Sequence, residues 1–153
     1  MVKTNSMRAW FLATRPKTLT GAIAPVLVGA AFAYASSDAV SMLMPFLLCL
    51  LFAVLMQIDA NLINDYFDFK KGTDREDRLG PERACAQGWI TPRAMQWGIG
   101  VMTALSCLVG IAILLVHMQW ELLLVGILCV VFCFLYTTRL SYLGWGDVLV
   151  LVF

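Results

Sequence analysis

Gln57-Ile-Asp-Ala-Asn61-Leu-Ile-Asn64-Asp65-Tyr-Phe-Asp68 closes a long apolar segment and leads into a charged run that ends at Arg83. The chain as a whole is 61% hydrophobic and 14% charged. About half of its charged side chains nevertheless lie in this one run. We interpret the stretch as the end of a membrane helix that carries a functional site.

The polar residues of this stretch fall on one face if the apolar run continues as a helix, because each helical residue turns by about 100°. We call this face the polar stripe; it consists of Gln57, Asn61, Asn64, Asp65 and Asp68. Clustered carboxylate and amide oxygens favour a bound cation. Mg²⁺ is the candidate, since it accepts one or two carboxylates and completes its shell with water and phosphate oxygens.

Basic side chains follow the polar stripe directly. They are Lys70, Lys71, Arg75, Arg78 and Arg83. Acids, a cation and basic side chains together predict a site for a diphosphate at a membrane surface. The alternative is a solvated helix end, because membrane helices commonly end in mixed charges.

The remaining sequence predicts an all-α, polytopic transmembrane helix bundle. A helix needs about 20 apolar residues to cross a bilayer, and four runs come close to or reach that length, at 19–34, 41–61, 94–116 and 122–136. A further apolar run, 148–153, starts a fifth span. A net charge of +1 gives no indication of nucleic-acid binding. The five cysteines are predicted to be small buried packing residues.

The chain is predicted to comprise an amino-terminal interfacial segment, 1–18, and a transmembrane domain, 19–153. In the first segment Trp10 and Phe11 are expected to face lipid. The transmembrane domain contains one sizeable hydrophilic loop, 69–92. Thr91-Pro92 marks a helix start at the end of this loop.

The distribution of Lys and Arg predicts the orientation. These residues lie in the amino terminus, in and beside the 69–92 loop, and in the polar connection 137–147, whereas the turn at 117–121 has none. Because basic loops stay in the cytoplasm, we expect the amino terminus and both polar connections to be cytoplasmic and the protein to be a multi-pass protein of the inner (plasma) membrane.

Several motifs in the chain form a recognisable set. They are Arg15-Pro16-Lys17-Thr18-Leu19; Asn61-x-x-Asn64-Asp65-Tyr66-x-Asp68; Lys71-Gly72-x-Asp74-x-x-Asp77-Arg78-x-Gly80-Pro81-x-Arg83; and Tyr136-Thr137 with Tyr142-Leu-Gly144-x-Gly146-Asp147. Together they resemble the UbiA superfamily of intramembrane prenyltransferases. More narrowly, they resemble its 1,4-dihydroxy-2-naphthoate polyprenyltransferase branch, the MenA type of menaquinone biosynthesis.

The resemblance implies a fold and an activity. The family fold has nine transmembrane helices around a cavity, where two aspartate-rich motifs face each other through Mg²⁺ and an allylic diphosphate. The implied reaction moves a polyprenyl group from polyprenyl diphosphate to 1,4-dihydroxy-2-naphthoate, with decarboxylation, giving demethylmenaquinone. Only the first motif lies in this chain; the second would lie beyond Phe153. We therefore expect residues 1–153 alone to be an incomplete and inactive enzyme.

The resemblance also implies roles for individual residues. The Mg²⁺ ligands would be Asn64, Asp65, Asp68, Asp74 and Asp77, of which Asp65 and Asp68 are the catalytic pair. The diphosphate would be bound by Arg15, Lys17, Asn61, Lys71 and Arg78. The rings of Tyr66, Tyr136 and Tyr142 would line the substrate cavity and stabilise the allylic cation.

Other functions remain open from the sequence. The chain could be another UbiA-type aromatic prenyltransferase or a non-catalytic membrane fragment. A divalent-cation transporter is a further alternative, although its acids would be expected to face one another at mid-bilayer. Two residues do not fit the pattern: Asp59 lies opposite the polar stripe by helical angle, and His117, at a turn, is assigned a structural role.

Overall fold

The computed structural model describes residues 2–36, 39–72, 82–117 and 120–138. These ranges are helical and contain no strand, which confirms the predicted all-α class. The helices are α1 (Met7–Ala13), α2 (Leu19–Ser36), α3 (Ala39–Lys71), α4 (Pro92–His117) and α5 (Glu121–Thr138). A short 3₁₀ turn, Pro16–Thr18, joins α1 to α2.

The apolar helices fit a membrane helix bundle. Three stretches of the described residues are long and apolar enough to cross a membrane, namely Met7–Ala35, Met42–Lys71 and Pro92–Val116. A shorter apolar helix covers Glu121–Leu135. The buried share of these three spans ranges from 0% to 22%. Most of their apolar surface is therefore available to lipid or to further helices. A full fourth crossing stays a prediction, and the run at 148–153 lies outside the described residues.

Helix α3 is the central element and contacts α1, α2, α4 and α5. As predicted, it runs without a break from its apolar start through the polar stripe. Gly72 ends it: this glycine has a φ of 67°, and its N–H donates to the Phe69 carbonyl at 3.1 Å, an arrangement typical of helix ends. Residues 69–71, predicted to belong to the loop, are therefore helical.

The buried core lies at the polar end of α3. Its members come from α1, α3, the segment before α4, and α4: Ala9, Ala13, Leu62, Ile63, Ala84, Cys85, Ile90, Met95 and Ile99. The polar stripe is therefore surrounded by the best-packed part of the described chain.

The segment before α4 is fixed to the amino terminus. Asn5 donates its backbone N–H to the Trp89 carbonyl at 2.8 Å, and its Oδ1 accepts the Thr91 N–H at 3.1 Å. Thr91 Oγ1 in turn accepts the Ala94 N–H at 3.3 Å, and Pro92 takes the first helical position. The predicted helix start at Thr91-Pro92 is confirmed.

Trp10 packs inward, so the prediction that it faces lipid was wrong. A Cβ built on Gly98 of α4 would lie 2.6 Å from two carbons of the Trp10 ring. The indole thus occupies the space that this glycine leaves open. Phe11, on the same helix, is 63% exposed, in agreement with the prediction for that residue.

Gly98→Ala is expected to destabilise the protein by about 1–3 kcal/mol, because the added methyl group displaces a packed indole. Gly100→Ala is the matched control: a Cβ there meets nothing within 4 Å, and replacing a helical glycine ordinarily stabilises by about 0.5–1 kcal/mol. Thermal unfolding in detergent, followed by tryptophan fluorescence, measures both effects. Equal melting temperatures for the two variants would contradict the Trp10–Gly98 contact.

Asp59 belongs to the interface between α3 and α4. It is 1% exposed, and Thr103 Oγ1 donates to its Oδ2 at 2.6 Å. An acid within a membrane span needs such a partner. Asp59 is therefore a packing residue of the helix pair, separate from the polar stripe.

None of the five cysteines forms a disulfide. Cys85 is buried, as predicted, but Cys49 and Cys107 are exposed and line a groove bordered by α3, α4 and α5. The prediction failed for these two because a residue in an apolar run can face such a groove as well as the buried core.

Candidate functional site

The polar stripe is partly enclosed by protein. Asn61 is 4% exposed and Asp65 is fully buried, while Gln57, Asn64 and Asp68 are half-buried. A solvated helix end would leave these side chains in water. The burial therefore argues against that alternative.

Asn61 joins α3 to residues 14–18, which we call the amino-terminal corner. Its Nδ2 donates to the Thr14 carbonyl and to Thr18 Oγ1, both at 2.9 Å. These bonds hold the two ends of the corner against the polar stripe. Arg15 lies between Thr14 and Thr18, the two residues that Asn61 contacts.

Arg15 has a left-handed backbone, with φ 51° and ψ 68°. This conformation costs a non-glycine residue about 1–2 kcal/mol. It is held in place by Thr18, whose backbone N–H and Oγ1 both donate to the Arg15 carbonyl at 2.9 Å. The side chain then reaches the polar stripe, with Nη2 at 3.9 Å from Asp65 Oδ2. The corner thus brings a predicted diphosphate-binding arginine to the predicted acids.

Asp65 contacts the chain segment that returns from the hydrophilic loop. Its Oδ2 accepts the backbone N–H of Ala84 at 2.7 Å, and its Oδ1 accepts that of Cys85 at 2.9 Å. These residues belong to a single hydrogen-bonded turn, Arg83–Gly88, which we call the return turn. Sequence reasoning did not predict these partners.

Arg83 forms an ion pair with Asp68 through its Nη2. The side chain of Arg83 is only 6% exposed, and that of Asp68 is 17% exposed. The sequence named Arg83 only as one of several basic residues that follow the polar stripe and as part of the Gly80-Pro81-x-Arg83 motif, without an individual binding role. The structure adds it to the site.

The other predicted residues are distributed around this centre. Lys17 and Lys71 are exposed and Asn64 is half-buried. Tyr66 is turned towards the start of α4, where its hydroxyl accepts a hydrogen bond from Gln96 Nε2 at 2.8 Å. Asp74, Asp77, Arg78 and Tyr142 lie outside the described residues, as does the side chain of Tyr136.

The Mg²⁺ prediction fits only part of the polar stripe. Within the described ranges, no three His, Cys, Asp or Glu residues are grouped to hold a metal. Asp65 does not fit as placed, because its buried carboxylate already holds two amide groups. Asn64 and Asp68 do fit: they offer hard oxygen atoms one helical turn apart, and both residues are partly exposed.

Comparison with known proteins decides the class. The model of the UbiA prenyltransferase family matches residues 22–153. The chain belongs to this family. The match to the UbiA prenyltransferase family includes the polar stripe and the return turn, whereas Arg15 lies just before it.

Three curated relatives show which members of the family the chain is similar to. The chain is 35% identical to a protein of Haemophilus influenzae over 96% of its own length, 38% to one of Escherichia coli over 95%, and 37% to one of Mycobacterium tuberculosis over 97%. Each relative is named 1,4-dihydroxy-2-naphthoate octaprenyltransferase. The chain spans about half the length of these relatives (50%, 49% and 50%). No solved structure matches it.

Proposed function

We propose that this UbiA-family chain forms part of a membrane enzyme that transfers a polyprenyl group from polyprenyl diphosphate to 1,4-dihydroxy-2-naphthoate. One observation carries the proposal: acids and amides of one helix face are packed against two arginines, Arg15 and Arg83. Such a combination suits a diphosphate and its counter-cation. The names of the relatives support the choice of acceptor.

In the reaction, the allylic C–O bond breaks and the diphosphate leaves. The naphthoate ring forms the new C–C bond and loses its carboxylate as CO₂, which gives demethylmenaquinone in its reduced form. Mg²⁺ held by Asn64 and Asp68, with Asp74 and Asp77 as further ligands, would act as a Lewis acid on the leaving group.

The basic residues bind and orient the diphosphate. Arg15, with its planar fork of N–H donors, suits phosphate oxygens, and its left-handed backbone fixes its direction. Lys17, Lys71 and Arg78 supply further positive charge. Asn61 acts mainly through Arg15, because its amide nitrogen already holds the amino-terminal corner.

The aromatic residues have a separate role in the proposal. Tyr66, Tyr136 and Tyr142 would offer ring faces to the allylic cation. Because the Tyr66 hydroxyl is held by Gln96, its ring orientation is set by α4. The prenyl tail would remain among the apolar helices, within the lipid bilayer.

An acceptor-discrimination assay tests the function. Membranes containing the protein expressed from its complete reading frame are incubated with polyprenyl diphosphate, Mg²⁺ and either 1,4-dihydroxy-2-naphthoate or 4-hydroxybenzoate. We expect a prenylated, decarboxylated product from the naphthoate alone, detected by mass spectrometry. Product from 4-hydroxybenzoate alone would assign the chain to another aromatic prenyltransferase, and no product from either acceptor would contradict the proposal.

The proposed orientation places the polar stripe at the cytoplasmic face of the inner membrane. Two exposed positions test it, Lys70 before the hydrophilic loop and Trp120 before α5. In a cysteine-free background and right-side-out vesicles, an impermeant maleimide should label Trp120→Cys at once. It should label Lys70→Cys only after the membrane is permeabilised. The reverse pattern would contradict the topology and the location of the site.

A further inference from the structure

Asp65 is engaged by protein on both of its oxygens. Each oxygen accepts one backbone N–H, from Ala84 and from Cys85, at 2.7 and 2.9 Å. The residue is 0% exposed. A carboxylate that receives two consecutive amide groups is a capping arrangement.

Asp65 caps the return turn, which is held together by hydrogen bonds of its own. Within the return turn, Gln87 N–H donates to the Arg83 carbonyl at 2.9 Å and Trp89 N–H donates to the Ala84 carbonyl at 2.8 Å. Gly88 ends the turn with a φ of 67°. The backbone N–H groups at the start of this turn donate to Asp65, and the negative charge of the acceptor strengthens such hydrogen bonds.

The return turn also determines where Arg83 lies. Arg83 immediately precedes the two amides that Asp65 holds, and it pairs with Asp68, one helical turn further along α3. Fixing Ala84 and Cys85 on Asp65 therefore directs the arginine onto Asp68. If Asp65 turned towards a metal ion, two buried amide groups would lose their acceptors, which is costly.

We propose that Asp65 is a positioning residue that fastens the return turn to α3 and so holds Arg83 against Asp68, rather than a ligand of Mg²⁺. The inference rests on the proposed function for its link to catalysis, but its structural half stands independently. Asp68, with the half-buried Asn64 one helical turn before it, is then the acid that faces the diphosphate and its cation. Arg15, at 3.9 Å, balances the buried charge of Asp65.

Cys85 provides a direct reporter of the return turn, since it is 4% exposed. The other four cysteines are replaced by alanine: Cys49, Cys107, Cys129 and Cys133. The rate of maleimide labelling at Cys85 then measures how often the turn opens. Asp65→Asn keeps the size of the side chain but replaces one acceptor oxygen with an NH₂ group that cannot accept an N–H. We expect labelling to accelerate by about tenfold or more, as for loss of a local anchor.

Asp59→Asn is the matched control, because it makes the same chemical change on the same helix and leaves both the Asp65 bonds and the Asp68–Arg83 pair intact. Its labelling rate should stay within about threefold of the parent rate. Unchanged labelling in Asp65→Asn, or equal acceleration in both variants, would overturn the inference. Neither result depends on whether the protein transfers prenyl groups.

The Mg²⁺ dependence of transfer distinguishes a positioning residue from a ligand. Asp65→Asn should lower kcat or raise KM for the diphosphate, but it should leave the half-saturating Mg²⁺ concentration within about twofold of the parent value. Asp68→Asn should raise the half-saturating Mg²⁺ concentration by about tenfold or more. A tenfold rise in Asp65→Asn, written as about 1.4 kcal/mol of lost metal binding, would overturn the inference. If the parent protein shows no transfer, the proposed function fails and the labelling result alone decides the role of Asp65.

Discussion

Asp68→Ala is expected to lower the rate of prenyl transfer by about a hundredfold or more, since removing one group that stabilises developing charge commonly has an effect of this size. The substitution takes away the partly exposed carboxylate of the polar stripe and leaves Arg83 next to the diphosphate without its acid. Helix α3 should remain inserted, because alanine favours both helix and membrane. Initial rates measured over a range of Mg²⁺ concentrations provide the test.

The control for this change is Asp59→Asn, which alters an acid on the same helix but at the α4 interface. An asparagine there can still accept the Thr103 hydroxyl, so activity should be close to that of the parent protein. Full turnover in Asp68→Ala, with insertion confirmed, would show that this acid is only part of a helix end.

Arg83→Met is expected to reduce both stability and activity. Breaking a buried ion pair by removing one partner ordinarily destabilises by 3–5 kcal/mol, and we expect about 3 kcal/mol here, since the Asp68 side chain is 17% exposed. Arg93→Met, at an exposed position on α4, is the matched control. Thermal unfolding in detergent and transfer rates are measured for both variants.

The double variant Asp68→Leu, Arg83→Met separates the two effects. With both charges gone, stability should recover towards that of the parent, because no buried charge is left unpaired. Activity should not recover, since the site has lost both the Asp68 carboxylate and the positive charge of Arg83. An Arg83→Met protein as stable as Arg93→Met would contradict the ion pair as a structural element.

The helices could be predicted from the sequence because their signals are local. The apolar run and the spacing of the polar stripe indicate one continuous helix to Asp68, and α3 has that form, with one further turn to Lys71 that was predicted as loop. Thr91-Pro92 likewise marks a cap through neighbouring residues. These features depend on contacts within one helical turn.

The partners of Asp65 could not be predicted, because they are backbone amides beyond a hydrophilic loop. Every residue except proline carries a backbone N–H group. The sequence Ala84-Cys85 therefore gives no indication of a carboxylate partner. The polar stripe therefore appeared to be a uniform set of metal ligands. The structure divides it by contact: Asn61 holds the amino-terminal corner, Asp65 the return turn, and Asp68 an arginine.

Arg83 received no individual role from the sequence for a related reason. It is one of several basic residues in a charged run, and its burial arises only when the return turn packs on α3. The left-handed backbone of Arg15 is similarly invisible in the sequence, where a glycine or asparagine would be expected. Both arginines are positioned by tertiary contacts of the polar stripe.

The central claim is that the polar stripe and its arginines bind an allylic diphosphate together with Mg²⁺. Binding of a non-reactive prenyl thiolodiphosphate to the purified protein, measured by calorimetry with and without Mg²⁺, tests this most directly. We expect Mg²⁺-dependent binding that weakens by about tenfold or more in Asp68→Ala and in Arg15→Gln, but not in Asp59→Asn. Equal binding by all four proteins, or binding that ignores Mg²⁺, would contradict the claim.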